Sequence, residues 1–410
     1  MDRGLRWYLL STGLFLVPGG IQMVLFPWLV AVYLQESPAR VGIAQMSLQL
    51  PMLLLILWGG LVGDRFDQRR LLVGLHLGMI GPPLAMAVLV QADLIVYEVL
   101  LGWAVIGGSF GAFAQPARDA LLNRVAGGDV QGVVTLAIGV QFGVQIIGFS
   151  LGSTADSLGP LWLFLVQALL MGAAAVATSK IPLLPMGSAR ERRPALREIG
   201  EGIVMAWRSE AIRPAVLLTF AQGVFFAGAY LVILPLMVRD LYGGGAGGIA
   251  GAFAANMLGT CTVVFFLRRR GGIDRPGRAL GLWGVFGVCV LSLLHFELPL
   301  WGFYAVIYLW GTCGGVSMTM SRSIVQEASP PSHRARLMSV YSLGLMGGMP
   351  FGSAFLGWCV GVLGARNAVL VPVIGMAVVQ LLIFTTSRLW LVERQRGSDL
   401  DEEPLMHAAD

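Results

Sequence analysis

Long apolar runs recur along this chain so regularly that they leave one class of fold open to it. Crossing ~30 Å of hydrocarbon at 1.5 Å per residue takes about 20 apolar residues of helix. Runs of that kind lie near 8–34, 41–62, 71–91, 94–115, 131–153 and 158–178, and a second set near 214–238, 247–267, 279–296, 299–321, 336–360 and 366–387. Helix is the conformation they require: lipid offers no partner to an unpaired backbone amide, and the runs are too long and too little alternating for barrel strands. Composition agrees, since 12% of residues are charged and 56% hydrophobic, where a soluble domain carries about 25% charged residues to keep its surface wet. The expectation is an all-α polytopic membrane protein of twelve transmembrane helices.

The charges orient it. With the N-terminus inside, the inner segments hold 25 of the 28 Lys and Arg residues and the outer loops hold Arg40, Arg239 and Arg366 alone. Basic residues concentrate on the cytoplasmic side, so both termini are expected there, in the cytoplasmic (inner) membrane. The run from Trp7 is too long for a signal peptide and no small-x-small cleavage site closes it, so it reads as a retained first span. Segment 179–213 has Pro182, Pro185, Pro194 and seven basic residues. It divides the chain into an N-terminal six-helix bundle (1–178), a basic cytoplasmic linker (179–213), a C-terminal six-helix bundle (214–387) and a cytoplasmic tail (388–410). Within the linker, 196–207 is amphipathic enough to lie along inner headgroups. Cys261, Cys289, Cys313 and Cys359 are single and widely spaced, which fits packing residues and neither disulfides nor a metal site.

The halves repeat. Asp64-Arg65 and Asp274-Arg275 sit in short basic turns 210 residues apart, each between two apolar runs. Arg118 and Arg322 follow the fourth and tenth runs, 204 residues apart, and each precedes a glycine-rich helix: Gly139, Gly143, Gly148 and Gly152, then Gly344, Gly348, Gly352 and Gly357. Two parallel six-helix units are a transporter architecture.

The first of these turns, Gly60-Leu61-Val62-Gly63-Asp64-Arg65-Phe66-Asp67-Gln68-Arg69, resembles the signature of the major facilitator superfamily, Gly-x-x-x-Asp-Arg-x-Gly-Arg-Arg, with Asp67 and Gln68 in place of Gly and Arg. Asp-Arg-Phe-Asp-x-Arg-Arg is similar to the enterobactin-exporter and macrolide-efflux branch, as are Pro116-Ala117-Arg118 and Arg334-Ala335-Arg336-x-Met338-Ser339-Val340-Tyr341. The resemblance implies the twelve-helix major facilitator fold. It also implies a conformational latch in which Asp64 meets the start of the eleventh helix, near 337–339, with Gly60, Arg65, Arg69, Asp274 and Arg275 in the matched turns. A carboxylate there would accept bonds from exposed helix N-terminal amides, where the dipole also favours it. The bland alternative is that the arginines enforce topology and touch anionic headgroups. The superfamily's arginine in helix four is absent from Gly102–Gly107, and Gly148-Phe149 replaces the exporters' Gly-Pro.

Ionisable groups inside the runs are few. Glu98, near the outer end of the fourth, is the candidate for proton coupling, against a carboxylate that snorkels to the interface. His76 and His295 read as interfacial or packed. The neutral polar residues form a more coherent set: Gln22, Gln45, Gln49, Gln141, Gln145, Gln222 and Asn256 fall on helices that line the central cavity in the family. Gln45 with Gln49, and Gln141 with Gln145, share helix faces at i, i+4. With Phe225, Phe226, Tyr230 and Tyr341 they outline a cavity for an amphipathic, largely uncharged ligand; glue between helices is the competing role.

The expected function is a secondary active transporter working by alternating access on a small amphipathic solute, with export as its direction. An importer or lipid-like solute flippase is the alternative. A polytopic enzyme finds no support, since the chain has no His-Glu-x-x-His and no ATP-binding Gly-x-x-x-x-Gly-Lys-Ser/Thr; a non-transporting sensor would need an output domain. Expected partners are the solute, protons as coupling ion and the lipid bilayer. No nucleic acid, cofactor or metal is expected, and the chain should act as a monomer.

Overall fold

The computed structural model describes residues 3–126, 130–182, 195–270, 273–330, 333–387 and 389–391; the side chains of 57, 61, 63–65, 130–132, 134, 135, 138, 195–199, 335 and 391 are outside that description. The regular structure of the described residues is helical. The first half comprises α1 (Arg3–Trp28), α2 (Pro38–Arg65), α3 (Gln68–Gly78), α4 (Gly81–Gln91), α5 (Tyr97–Ala126), α6 (Val130–Gly152), α7 (Ala155–Leu158) and α8 (Pro160–Ser179). After the linker helix α9 (Ala195–Arg208) the second half holds α10 (Ile212–Gln222), α11 (Leu234–Tyr242), α12 (Ala246–Arg269), α13 (Pro276–Ser292), α14 (Leu300–Glu327), α15 (Arg334–Ala368) and α16 (Leu370–Thr386). A π turn extends α1 to Tyr33, and two π turns between Gly223 and Ile233 join α10 to α11. Among the described residues, nine helices are long and apolar enough to cross a membrane, and α16 is a shorter apolar helix. The chain is an all-helical, multi-pass membrane protein.

Packing repeats between the halves. Helix α1 lies on α6 and α8, α2 on α5, and α3 on α5 and α8; likewise α10 lies on α15 and α16, α12 on α14, and α13 on α14 and α16. Small residues set the matching crossings. A Cβ at Gly20 of α1 would stand 2.9 Å from Gly148 Cα of α6, and one at Gly223 would stand 3.1 Å from Gly348 Cα of α15. Only backbones without side chains approach so closely in lipid, where packing rather than burial from water holds helices together. Not every glycine of the two rich helices serves this end: side chains at Gly139 and Gly143 would meet open space.

The halves join unevenly. Helix α2 lies along α15 and α6 along α12. One continuous apolar core, with Ile21, Phe26 and Trp28 of the first half and Val232, Phe253 and Leu356 of the second, unites them at the end that carries Arg40, Arg239 and Arg366. At the opposite, arginine-rich end the core splits in two. Tyr8, Leu72 and Leu121 belong to a first-half cluster, and Leu280, Ile324 and Leu337 to a second-half one. Among the described residues a single core thus joins the halves at the arginine-poor end, and each half has its own core at the other.

Candidate functional site

Directly beneath the closed end lies a cavity of about 320 Å³. Three amides, Gln22 of α1 and Gln45 and Gln49 of α2, stand on its wall with four thioethers, Met23, Met52, Met346 and Met349. Gly107, Gly108 and Gly111 of α5 form a smooth strip on one side, and Leu231 enters from the π-turn segment. No charged side chain lines it among the described residues. Gln45 is buried, and the Gln49 Nε2 donates to Ser353 Oγ of α15 at 3.3 Å, a bond between the halves. Gln145 reaches the cavity's edge from α6, its Nε2 on Met23 Sδ at 3.0 Å.

The other candidate amides and phenols are not on that wall. Gln141 is exposed and Gln222 half-buried. Asn256 Nδ2 donates to the Ile307 carbonyl across the α12–α14 crossing. The Tyr341 hydroxyl pairs with Ser321 Oγ at 2.9 Å, pinning α15 to α14. The Tyr230 ring lies tilted against that of Phe253, centroids 4.5 Å apart, and Phe226 meets Trp310 edge-on at 5.6 Å. In this state Asn256, Tyr341, Tyr230 and Phe226 hold helices together, the competing role for polar groups in membranes. His76 is packed as the sequence indicates, buried with its Nδ1 3.2 Å from Thr178 Oγ1. The His295 ring lies 5.8 Å from that of Phe296.

Glu98 stands on the first turn of α5, its side chain 71% exposed, with Oε1 3.6 Å from Arg40 Nη2. It is off the cavity wall, at the arginine-poor end.

The closed end is held by contacts that the motifs did not flag. Gly42 of α2 and Gly357 of α15 let the backbones touch: a Cβ at Gly42 would lie 2.9 Å from Gly357 Cα. Phe149 of α6 and Phe253 of α12 pack with centroids 6.0 Å apart. Asp156 of α7 accepts from Trp28 Nε1 at 2.7 Å through Oδ1 and from the Gly247 amide at 3.3 Å through Oδ2, so a first-half carboxylate caps the N-terminus of α12. Arg239 of α11 answers in the other direction, its Nη1 donating to the carbonyls of Ala31 and Glu36 at 3.0 and 2.9 Å, where the first helix ends. Each charge sits where the helix dipole favours it. Neither residue lies in a repeated motif; the sequence signal for Arg239 was its rarity as an outer-loop cation.

At the arginine-rich end, α2 ends with Asp64 and Arg65, whose side chains lie outside the described residues. A side chain at Gly60 would meet open space; the glycine that permits close packing is Gly59, against the Ala112 carbonyl of α5. Arg69 donates to the Ser179 carbonyl at the end of α8, a tie within the first half. Asp67 caps α3 by accepting from the Arg70 amide at 3.0 Å and faces Arg124 at 3.8 Å, while Gln68 accepts from the same arginine. The two residues that depart from the superfamily pattern therefore brace α3 against the end of α5. In the matching turn, Asp274 and Arg275 are both exposed.

Two repeated helical halves with a cavity that no charged side chain lines among the described residues have the architecture of a membrane transporter. The chain belongs to the transmembrane secretion effector family of the major facilitator superfamily, whose model matches residues 11–409. It is a secondary transporter and not an enzyme. In fold it is similar to the nucleoside transporter NupG, with a TM-score of 0.73 at 13% identity over 94% of this chain and 99% of that one. An auto-inhibited POT family peptide transporter matches with a TM-score of 0.68 at 13% identity, over 96% and 98% of the two chains. A bacterial homolog of the human lysosomal transporter Spinster, inward-facing and unoccupied, matches with 0.70 at 13%, over 97% and 100%. No curated protein matches the chain in sequence.

Proposed function

We propose that this protein exports a small, amphipathic, uncharged solute across the cytoplasmic membrane through twelve spans. These are the nine long apolar helices together with α6, α14 and α16. The bundles are 1–178 and 214–387, joined by the 179–213 linker, with the 388–410 tail and both termini cytoplasmic. The arginine-rich end is then the cytoplasmic one, and the molecule faces inward, its cavity parted from the outside by the Gly42–Gly357 contact and the Asp156 and Arg239 clasps. The family's description as a secretion effector supports export over import.

The observation that carries the reading is the amide-and-thioether cavity, lined by no charged side chain among the described residues, beneath the core that the two halves share. In the outward-facing state Asp64 and Arg65 would latch the cytoplasmic ends against the start of α15, with Gly60, Arg69, Asp274 and Arg275 shaping the two turns. A gradient of protons or of the solute itself would drive the cycle. Inverted membrane vesicles holding the chain test this against a panel of neutral, cationic and anionic solutes. Accumulation of neutral solutes, above that of vesicles lacking the chain, is expected; accumulation confined to charged solutes, or none at all, overturns it.

A further inference from the structure

The cavity wall and the outer gate share one residue. On α2, Gly42 and Gln49 are seven residues, two turns, apart and so lie on one face: Gly42 touches α15, and Gln49 stands where that contact gives way to the cavity. On α15, Met349 and Ser353 are spaced i, i+4 with the same consequence, the methionine on the cavity and the serine in the gate. The Gln49 amide joins the two. Its Nε2 bonds Ser353 across the halves, while its Oε1 is buried with no partner among the described residues. A buried carbonyl left without a hydrogen bond is costly. The gate is therefore closed through a half-satisfied amide, one side-chain rotation away from the cavity it also lines.

We propose that Gln49 senses the substrate, and that the substrate is a neutral, flat, polarisable molecule bearing an N–H or O–H donor. This rests on the transporter reading above and goes beyond it in chemistry and in coupling. The four methionines give soft, adaptable contacts to aromatic rings and so favour a flat, polarisable solute, and the lack of any charged lining side chain among the described residues disfavours charged solutes. A donor presented from the cavity gives Gln49 Oε1 the partner it lacks. As the amide turns to take it, the Ser353 bond is given up and the α2–α15 contact loosens. Loading from the cytoplasm thereby opens the outside, the order that export requires.

Three coumarins, the second and third each one change from the first, test this in proteoliposomes of the full chain: 7-amino-4-methylcoumarin, its 7-dimethylamino counterpart without a donor, and the 3-acetic acid derivative of the amine. The amine should bind about tenfold more tightly than the dimethylamino compound, the size of effect that one buried unmet acceptor gives, and the acid should not bind. Gln49→Leu should level the first two, while Gln91→Leu, exposed at the end of α4, should keep the tenfold ratio. Spin labels at Ser157 and Leu300, in a chain with its four cysteines replaced, should move apart when the amine is added to the wild type and stay in place in Gln49→Leu. Equal binding of amine and dimethylamine, a tenfold ratio that survives Gln49→Leu, or tight binding of the acid overturns the proposal. If no coumarin binds while vesicles export some other solute, this proposal falls and the transporter reading stands. The predicted binding pattern without transport of any solute has the opposite meaning.

Discussion

Replacing Gly42 by alanine should open the outer gate. The added Cβ would stand 2.5 Å from the Ser353 carbonyl oxygen, 2.9 Å from Gly357 Cα and 3.3 Å from Ala354 Cα, all of them backbone atoms of α15 that cannot swing aside. Carbon atoms in good contact sit ~3.5–4.0 Å apart, so α2 and α15 must separate by roughly 0.5–1 Å at this crossing. Overpacking of this kind costs ~1–3 kcal/mol. The cost falls only on the state in which the two backbones touch, so the closed-to-open ratio at the outer end should drop by ~5–150-fold. Distances between spin labels at Ser157 and Leu300 would report it as a second, longer population without any ligand. The control is Gly361→Ala on the same end of α15, where a Cβ meets nothing within 4 Å. An unchanged distance distribution in Gly42→Ala, or an equal shift in Gly361→Ala, would refute the assignment of this contact as the gate.

Asp64→Asn should leave membrane abundance intact and impair transport, because a neutral amide keeps the shape of the proposed cytoplasmic latch but loses a charge-assisted bond worth ~1.5–3 kcal/mol; full transport at wild-type abundance removes the latch. Arg239→Gln and Asp156→Asn should both lengthen the distance between spin labels at Ser157 and Leu300, the arginine more strongly, since it loses charge-assisted bonds to two carbonyls while an exposed cap is worth ~0.3–1 kcal/mol. Glu98→Gln should leave any dependence of transport on a pH gradient unchanged, because the side chain is exposed at the outer end beside Arg40; loss of that dependence would restore it as the coupling acid. The Arg366 guanidinium, bonded at 2.6 Å, holds the Glu297 carboxyl below the usual carboxylate range. This tie between the start of α14 and the end of α15 is present above the ordinary carboxylate pKa and is lost as pH falls through the lowered one. Arg366→Gln should therefore raise the midpoint of the Glu297 carboxyl resonance, and an unmoved midpoint contradicts the pairing.

The fold was legible because membrane helices announce themselves by length and apolarity, and a repeat in such a chain implies a repeat in packing. The cavity was half legible. Gln22, Gln45 and Gln49 reach its wall, but Asn256 and Tyr341 are spent on helix crossings, since an amide or phenol in lipid needs a partner wherever it lies and the sequence does not say which. Helix rotation decides it: Gln141 and Gln145 share a face, yet α6 presents Gln145 to Met23 and leaves Gln141 exposed. The methionines were invisible to the search for polar groups, although four of them line the cavity beside the amides. Gly42 and Gly357 were unreadable for another reason. A glycine marks a close approach only once its neighbour is known, and theirs lie in opposite halves of the chain.

The clasps at the closed end explain how one interface can serve two states. Helix α12 begins at the arginine-poor end and α15 begins at the arginine-rich end, so each end of the interface presents one second-half helix N-terminus. Opposite each stands a first-half carboxylate, Asp156 in contact with the start of α12 and Asp64 proposed for the start of α15. In the proposed rocking cycle, which closes one end as it opens the other, the two carboxylates would be seated in turn. Because both seats use the same chemistry, the exchange trades like for like, and the two states can lie within a few kcal/mol of each other. A ligand then needs only modest differential contact to move the balance, which a single amide in the gate, such as Gln49, is able to supply.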